Sequence, residues 1–340
     1  MTGPQYAAAG VDLDALASAK RRIARAVEST RTPLSRGLVG AFGGMVRIPE
    51  GMKQPILVTS TDSVGTKVLV AKLAGRYDTV GEDIVNHSVN DILVHGARGI
   101  AFQDYIGSNG LTEVQLADIV EGVARGCRAH GMALTGGETA SLPDIYAPGD
   151  YDLAGTIVGV VEESAALHGD AIAAGDVLIG YRSSGLHTNG YTLARKICFD
   201  RLKLPIDSAL SATGTSVGEA LLAVHQSYFH AVYPVLDLVH GIAHITGGGL
   251  EGNLVRVLPS TLDAVIESRS WEWPPLFTFL MEAGQVSVDE MRQVFNIGAG
   301  LVVAVPPDRA ERVRDAARKV GIETWIAGEV RAGTGGVRFT

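Results

Sequence analysis

Glycine placement constrains this chain most. Of 340 residues, 42 are glycine, about 12 % where soluble domains average near 7 %. They cluster at GLVGAFGG (37–44), TGGET (135–139), SSGLHTNG (183–190), TGGGLEG (246–252) and NIGAG (296–300), mostly just before or after short apolar runs. A hydrophobic fraction of 46 % is too high for a disordered glycine-rich polymer. The glycines therefore serve local backbone needs. Loops of this kind bring N–H groups close to a ligand, because glycine lacks Cβ and tolerates positive φ.

Between the loops the first half alternates strand and helix. Leu13, Leu16, Ala17, Ile23, Ala24 and Val27 recur at helical spacing after Asp12, a potential cap. ILVTSTD (56–62) reads as a strand and 80–95 as a helix. IAFQDYI (100–106), MALTG (132–136) and LAGTIVGVVE (153–162) read as strands, with a helix over 112–130. The small, polar segment at 164–176 places a boundary near residue 168, giving halves 1–168 and 169–340. The second half opens with VLIGY (177–181), then a helix from Gly190 and a long helix over about 216–240. IAHIT (242–246), LVVAVP (301–306), a helix over 308–320 and ETWIAGEV (323–330) follow. The pattern predicts α/β and α+β halves.

Composition excludes several classes. A net charge of −8 argues against a general nucleic-acid binder or a binder of anionic membranes. Cys127 and Cys198 cannot build a disulfide framework or a four-thiolate zinc site, which fits a reducing cytoplasm. No apolar run reaches the roughly 18 residues of a membrane helix, and the first residues lack a signal-peptide pattern. Neither Gly-Lys nor His-Glu occurs, so a P-loop and a zinc-protease motif are both excluded. GGGLEG (247–252), with Glu267 further on, imitates a dinucleotide fingerprint. The helix after it must end before Pro259, too short for a Rossmann crossover.

The candidate chemistry lies in three places. TDSVGTK (61–67) sets Asp62 at a strand end, then a glycine turn with Gly65 and Thr66, then Lys67. A carboxylate for Mg²⁺ beside an ammonium suits a nucleotide triphosphate, although the same segment would also serve as a capped turn. On the 80–95 helix, Asp83, Asn86, His87, Asn90 and Asp91 fall within about 140° of the helical wheel. Asp104 and Glu138, the latter in TGGET, would bring oxygen ligands from two further segments. In SSGLHTNGYTLARK (183–196), Ser184, Gly185, His187, Thr188 and Asn189 form a polar loop suited to an anion. His187 is the candidate for proton transfer beside a purely structural reading.

These residues resemble the aminoimidazole ribonucleotide synthetase family. The likeness runs through YAAAGVD (6–12), GAFGG (40–44), TDSVGTK, VND (89–91), GGETA (136–140), DYDLAG (150–155), SSGLHTNGY, HITGGG (244–249) and FNIGAG (295–300). The chain departs from the family at Ala41, at Ser141 to Asp144 and at Gly252 to Arg256. The resemblance implies a two-domain fold whose N-terminal halves pair into a β-barrel in a homodimer. It also implies ATP-dependent ring closure of formylglycinamidine ribonucleotide in purine biosynthesis, in the cytoplasm, with no nucleic-acid or membrane partner. Gly43, Gly44, Asp62, Gly65, Thr66, Lys67, Asn90, Asp91, Gly136, Gly137, Glu138 and Thr139 would hold ATP. Asp62, Asp91 and Glu138 would hold Mg²⁺. Ser184, Gly185, His187, Thr188, Asn189, Gly247, Gly248 and Gly249 would hold the substrate, and His187, Lys67 and Asp91 would act in catalysis.

Overall fold

In β1 (Pro55–Ser63) alternate residues face opposite sides. Ile56, Val58, Ser60 and Asp62 are half-buried, while Pro55, Leu57, Thr59, Thr61 and Ser63 are exposed. This is the pattern of a sheet covered by helices on one face and bare on the other. The computed structural model describes residues 13–37 and 42–340. The expectations placed on Asp12, YAAAGVD, Gly40 and Ala41 lie outside these residues.

After α1 (Leu13–Glu28) and β1 come α2 (Lys67–Ala74), α3 (Asp78–Leu93), β2 (Arg98–Ser108), α4 (Glu113–Ala129), β3 (Ala133–Ser141) and β4 (Tyr151–Glu162). The strands form one sheet in the order β1-β4-β2-β3, antiparallel except for the parallel β2–β3 pair. Thr112 starts α4 with a capping box to Gln115. Helices α3 and α4 pack closely because glycines meet at the crossing. A Cβ on Gly122 would stand 2.0 Å from the Asp78 carbonyl oxygen, and one on Gly81 2.1 Å from that of Ile119.

The second half contains β5 (Val177–Arg182), α5 (Tyr191–Arg195), α6 (Val217–Leu221), α7 (Phe229–Val232), β6 (Gly241–His244), α8 (Gly249–Leu254) and β7 (Leu262–Ile266). It continues with α9 (Pro275–Gly284), α10 (Val288–Val294), β8 (Ala299–Val305), α11 (Ala310–Lys319), β9 (Thr324–Ala332) and β10 (Val337–Phe339). Its six strands run β6-β8-β5-β9-β7-β10, with only β7–β10 parallel. One buried apolar cluster reaches through both halves, from Ile84 and Phe102 to Leu250, Phe295 and Trp325.

One element differs from the pattern-based expectation. The long helix over 216–240 is broken into α6, an irregular stretch, α7 and a 3₁₀ turn over Tyr233–Leu238. The backbone of the irregular stretch is bonded to side chains of the first half. The Ala223 carbonyl accepts from Lys67 Nζ, and His225 N–H donates to Asp83. The His225 carbonyl accepts from Asn86, the Gln226 carbonyl accepts from Asn90, and Tyr228 N–H donates to Asn90. These bonds replace helical ones. Among the described residues no helix is long and apolar enough to cross a membrane.

Candidate active site

The polar face of α3 divides into two jobs. Its first part is mortar. Lys67 is fully buried, and its ammonium donates to Asp83 Oδ1 (2.9 Å), the His187 carbonyl (3.1 Å) and the Ala223 carbonyl (2.7 Å). Three acceptors require three protons, so the pair is ionic. Burial draws Lys67 down and Asp83 up, and their mutual attraction opposes both shifts. Lys67 therefore faces no phosphate site, a correction to the role expected of it. Asn90 is likewise corrected: it is fully buried, and its amide clamps residues 226–228.

The second part of the face lines a cavity of about 540 Å³ that is also bordered by β1 and β6, each an edge strand of its sheet. Ser60, Asp62, His87, Asp91, Asn189, His244, Thr246, Asn253 and Arg256 border it. Ser60 Oγ donates to Asp62 Oδ2 (2.7 Å) and lies 3.3 Å from Asp91 Oδ2. His87 Nε2 stands 3.3 Å from Asp91 Oδ2 and 3.6 Å from Asp62 Oδ1. His244 Nδ1 donates to Asp91 Oδ1 at 2.7 Å. Burial works against charging His87, but hydrogen bonds to Asp62 and Asp91 outweigh it and push the imidazole up to about 9. Burial also works against the Asp91 carboxylate, yet His244 and His87 hold it far below the usual range. Burial keeps His244 below its ordinary value.

The loop at 183–190 packs behind this cavity. His187 is 1 % exposed with φ +62, accepts from Ser184 N–H at 3.3 Å, and stacks on His225 with ring centres 4.0 Å apart. Burial drives both imidazoles well below the ordinary value. His187 does not border the cavity where its proton transfer was expected; His87, His95 and His244 are the imidazoles that face the space. Ser184 Oγ donates to the Val224 carbonyl, the Gly185 carbonyl accepts from Asn296, and Thr188 Oγ1 bonds His87 Nδ1 at 2.7 Å. Asn189 does border the cavity, and among the described residues its Nδ2 has no hydrogen-bond partner. Gly247, Gly248 and Gly249 are held through their carbonyls: Asn253 Nδ2 donates to Gly247 and Gly249, and the Gly252 N–H donates to Gly248. Gly249 is needed for packing: at φ +62, a Cβ there would meet the Arg292 carbonyl oxygen at 1.7 Å.

Glu138 is not with Asp62 and Asp91. It is exposed on β3, the opposite edge of the sheet from β1, about 14 Å away at three strand spacings. The expected convergence of carboxylates from four segments is therefore two sites. Gly43, Gly44, Thr61, Asp104, Gly136, Gly137 and Glu138 border a second space of about 370 Å³. Gly44, Asp104, Gly136, Gly137 and Thr139 also border a cavity of about 470 Å³ under α1. Thr61 lines both the first and the second space, so the two adjoin. Gly65, Thr66, Thr188 and Asn189 border a separate groove leading to Lys196.

Comparison with known proteins places this arrangement. Residues 43–161 match the N-terminal domain, and residues 173–339 the C-terminal domain, of AIR synthase related proteins. The chain belongs to the AIR synthase related family. It is 46 % identical over 330 residues to the phosphoribosylformylglycinamidine cyclo-ligase of Sorangium cellulosum, covering 96 % of this chain and 94 % of that one. It is 45 % identical to the protein of the same name from Symbiobacterium thermophilum, covering 97 % and 96 %. The AIR synthase related fold also recurs in solved structures. Thiamine-monophosphate kinase from Stenotrophomonas maltophilia superposes with a TM-score of 0.67 at 17 % identity, covering 93 % and 94 %. The hydrogenase maturation protein HypE from E. coli gives 0.64 at 17 %, covering 94 % and 93 %. In this AIR synthase related chain, sequence reasoning missed His225, His244 and Arg256 as neighbours of the site. His87 carried a signal, as an i,i+4 partner of Asp91 on one helix face, and His244 another, directly before the TGGG loop.

Proposed function

We infer that this chain is an ATP-dependent phosphoribosylformylglycinamidine cyclo-ligase acting in purine biosynthesis. The observation that carries this reading is the cavity bordered by β1 and β6. There, among the described residues, carboxylates, imidazoles, an unpartnered amide donor and one arginine face a single space, in a chain whose whole-length relatives bear that name. The γ-phosphate of ATP passes to the formyl amide oxygen of formylglycinamidine ribonucleotide, releasing ADP. The ribose-bearing amidine nitrogen then attacks the formyl carbon. The oxygen leaves as inorganic phosphate, a proton is released, and 5-aminoimidazole ribonucleotide remains. Both reacting ends belong to one molecule, so positioning supplies much of the acceleration.

The residues divide accordingly. Asp62 and Asp91 suit a divalent ion such as Mg²⁺, which when bound would neutralise charge on the triphosphate. Arg256 suits the substrate phosphate, and Asn189 Nδ2 suits an amide or phosphate oxygen. The adjoining spaces at Gly43, Gly44, Asp104, Gly136, Gly137, Glu138 and Thr139 suit the rest of ATP, with residues 1–168 as the ATP-binding and dimerising half. The helix-free face of the first sheet, carrying Leu57 and Tyr105, suits pairing with a second copy in the cytoplasm.

The test is turnover with Mg·ATP and formylglycinamidine ribonucleotide, following ADP and the aminoimidazole together. Equal yields, each requiring the other substrate, are expected; ADP without aminoimidazole overturns the reading. Asp91→Asn is expected to lower turnover by about 100-fold or more with the circular dichroism spectrum unchanged. Turnover near that of the wild type removes Asp91 from the site.

A further inference from the structure

Three imidazoles, His87, His95 and His244, border the main cavity, and two of them are committed to protein partners. His87 Nδ1 bonds Thr188 Oγ1 at 2.7 Å, and its Nε2 stands 3.3 Å from Asp91 Oδ2 and 3.6 Å from Asp62 Oδ1. His244 Nδ1 donates to Asp91 Oδ1 at 2.7 Å, and its Nε2 lies 3.2 Å from His225 Nε2. His95 differs. Its Nδ1 lies 3.3 Å from the Leu167 carbonyl oxygen, which can only accept. Nδ1 therefore carries the hydrogen, and the neutral ring presents a lone pair at Nε2. His95 is exposed, and among the described residues its Nε2 has no hydrogen-bond partner.

Val94 keeps helical dihedrals after α3, so His95 follows Asp91 by four residues and about 6 Å along the axis. The linker between the halves is clasped to it, since Leu167 N–H donates back to the His95 carbonyl at 3.2 Å. Two residues on, Gly169 lies against Val257, where a Cβ on the glycine would stand 2.1 Å from the Val257 carbonyl oxygen. Val257 directly follows Arg256. His95 thus connects the carboxylate end of the cavity to the segment bearing the arginine that suits the substrate phosphate. In formylglycinamidine ribonucleotide the group between the reacting amidine and that phosphate is the ribose, with free hydroxyls at C2′ and C3′. A hydroxyl donates, and an imidazole lone pair accepts. Val94 and Val257 border the same space and offer no side-chain hydrogen bond. We propose that His95 is a substrate-binding residue whose Nε2 accepts a hydrogen bond from one of the ribose hydroxyls, so that the site selects the ribonucleotide over its deoxy analogues. This deepens the cyclo-ligase reading and rests on it.

The experiment measures binding and turnover with the full chain. Formylglycinamidine ribonucleotide and its 2′-deoxy and 3′-deoxy analogues are titrated calorimetrically, without ATP, into wild type, His95→Phe, His95→Ala and His95→Gln. Wild type is expected to bind one deoxy analogue about 10-fold more weakly than the parent. His95→Phe and His95→Ala should bind the parent about 10-fold more weakly and discriminate against that analogue by less than about 2-fold. His95→Gln, whose amide oxygen accepts, should keep a discrimination of at least about 3-fold. In turnover His95→Phe should raise KM about 10-fold and lower kcat by less than about 3-fold, as when binding is lost equally from ground and transition states. A purely structural His95 would weaken parent and analogues alike and leave the discrimination of wild type in all variants. That result overturns the proposal, as does a wild type indifferent to both hydroxyls. Aminoimidazole formed without His95-dependent discrimination removes the ribose contact and leaves the cyclo-ligase; the discrimination without aminoimidazole does the reverse.

Discussion

Asp104 shows how one carboxyl can be set by its surroundings. On β2 beside Gly137, it has no cation near it among the described residues, and burial pushes it up to about 6 from an ordinary value of 3.8. The folded chain therefore holds a proton that the unfolded chain has already lost between those two values. Stability falls as pH rises through that window and stays lowered above it. Asp104→Asn is expected to be more stable than wild type above about pH 7, by about 1–2 kcal/mol after allowing for partial exposure. The gain should vanish near pH 4. Thermal melts at both pH values check this, and an equal effect at the two would show that charge burial is not the cause. Asp62, Asp91 and Asn189, singled out by residue type and position in the sequence, do border the main cavity. Lys67 and His187 were not, because whether such a side chain points into a cavity or into the core depends on the segment packed over it.

At the scale of elements, α3 is the hinge between sequence pattern and outcome. Its polar face was visible in the helical period, but half of that face bonds the backbone of residues 225–228 and, of its polar residues, His87 and Asp91 reach the cavity. The Lys67–Asp83 pair pins α2 and α3 to the 183–190 loop and the 222–228 stretch together. Lys67→Met would leave Asp83 buried with only the His225 N–H, at an expected cost of about 3–5 kcal/mol, read as a lower midpoint in urea unfolding. A loss below about 1 kcal/mol would show that the pair does not hold the two halves. The 216–240 segment has the apolar spacing of one helix. It breaks because Asp83, Asn86 and Asn90 offer its backbone better-placed partners than its own next turn, a competition no local pattern records.

For the whole molecule, the main cavity is lined from both halves, by β1 at the edge of the first sheet and by β6 at the edge of the second. The bare face of the first sheet exposes the large side chains Leu57 (54 %) and Tyr105 (36 %). In the proposed homodimer this face is covered. Leu57→Arg is then expected to convert a dimer to monomer in sedimentation velocity at micromolar concentration. An unchanged dimer would place the contact elsewhere on the chain.

The amino-acid sequence by itself determined the alternation of strands and helices in the first half, the glycine loops, the absence of a P-loop and the family likeness. Each of these rests on local backbone preference or on order along the chain. The tertiary structure alone decided which carboxylates share a cavity. Asp62 and Glu138 both sit on edge strands of one sheet, but on opposite edges, and strand order is not written in any local period. It also decided the company of Asp91. His244 and His225 come from segments more than 130 residues away, brought near because Lys67 and the amides of α3 bind the backbone of the second half.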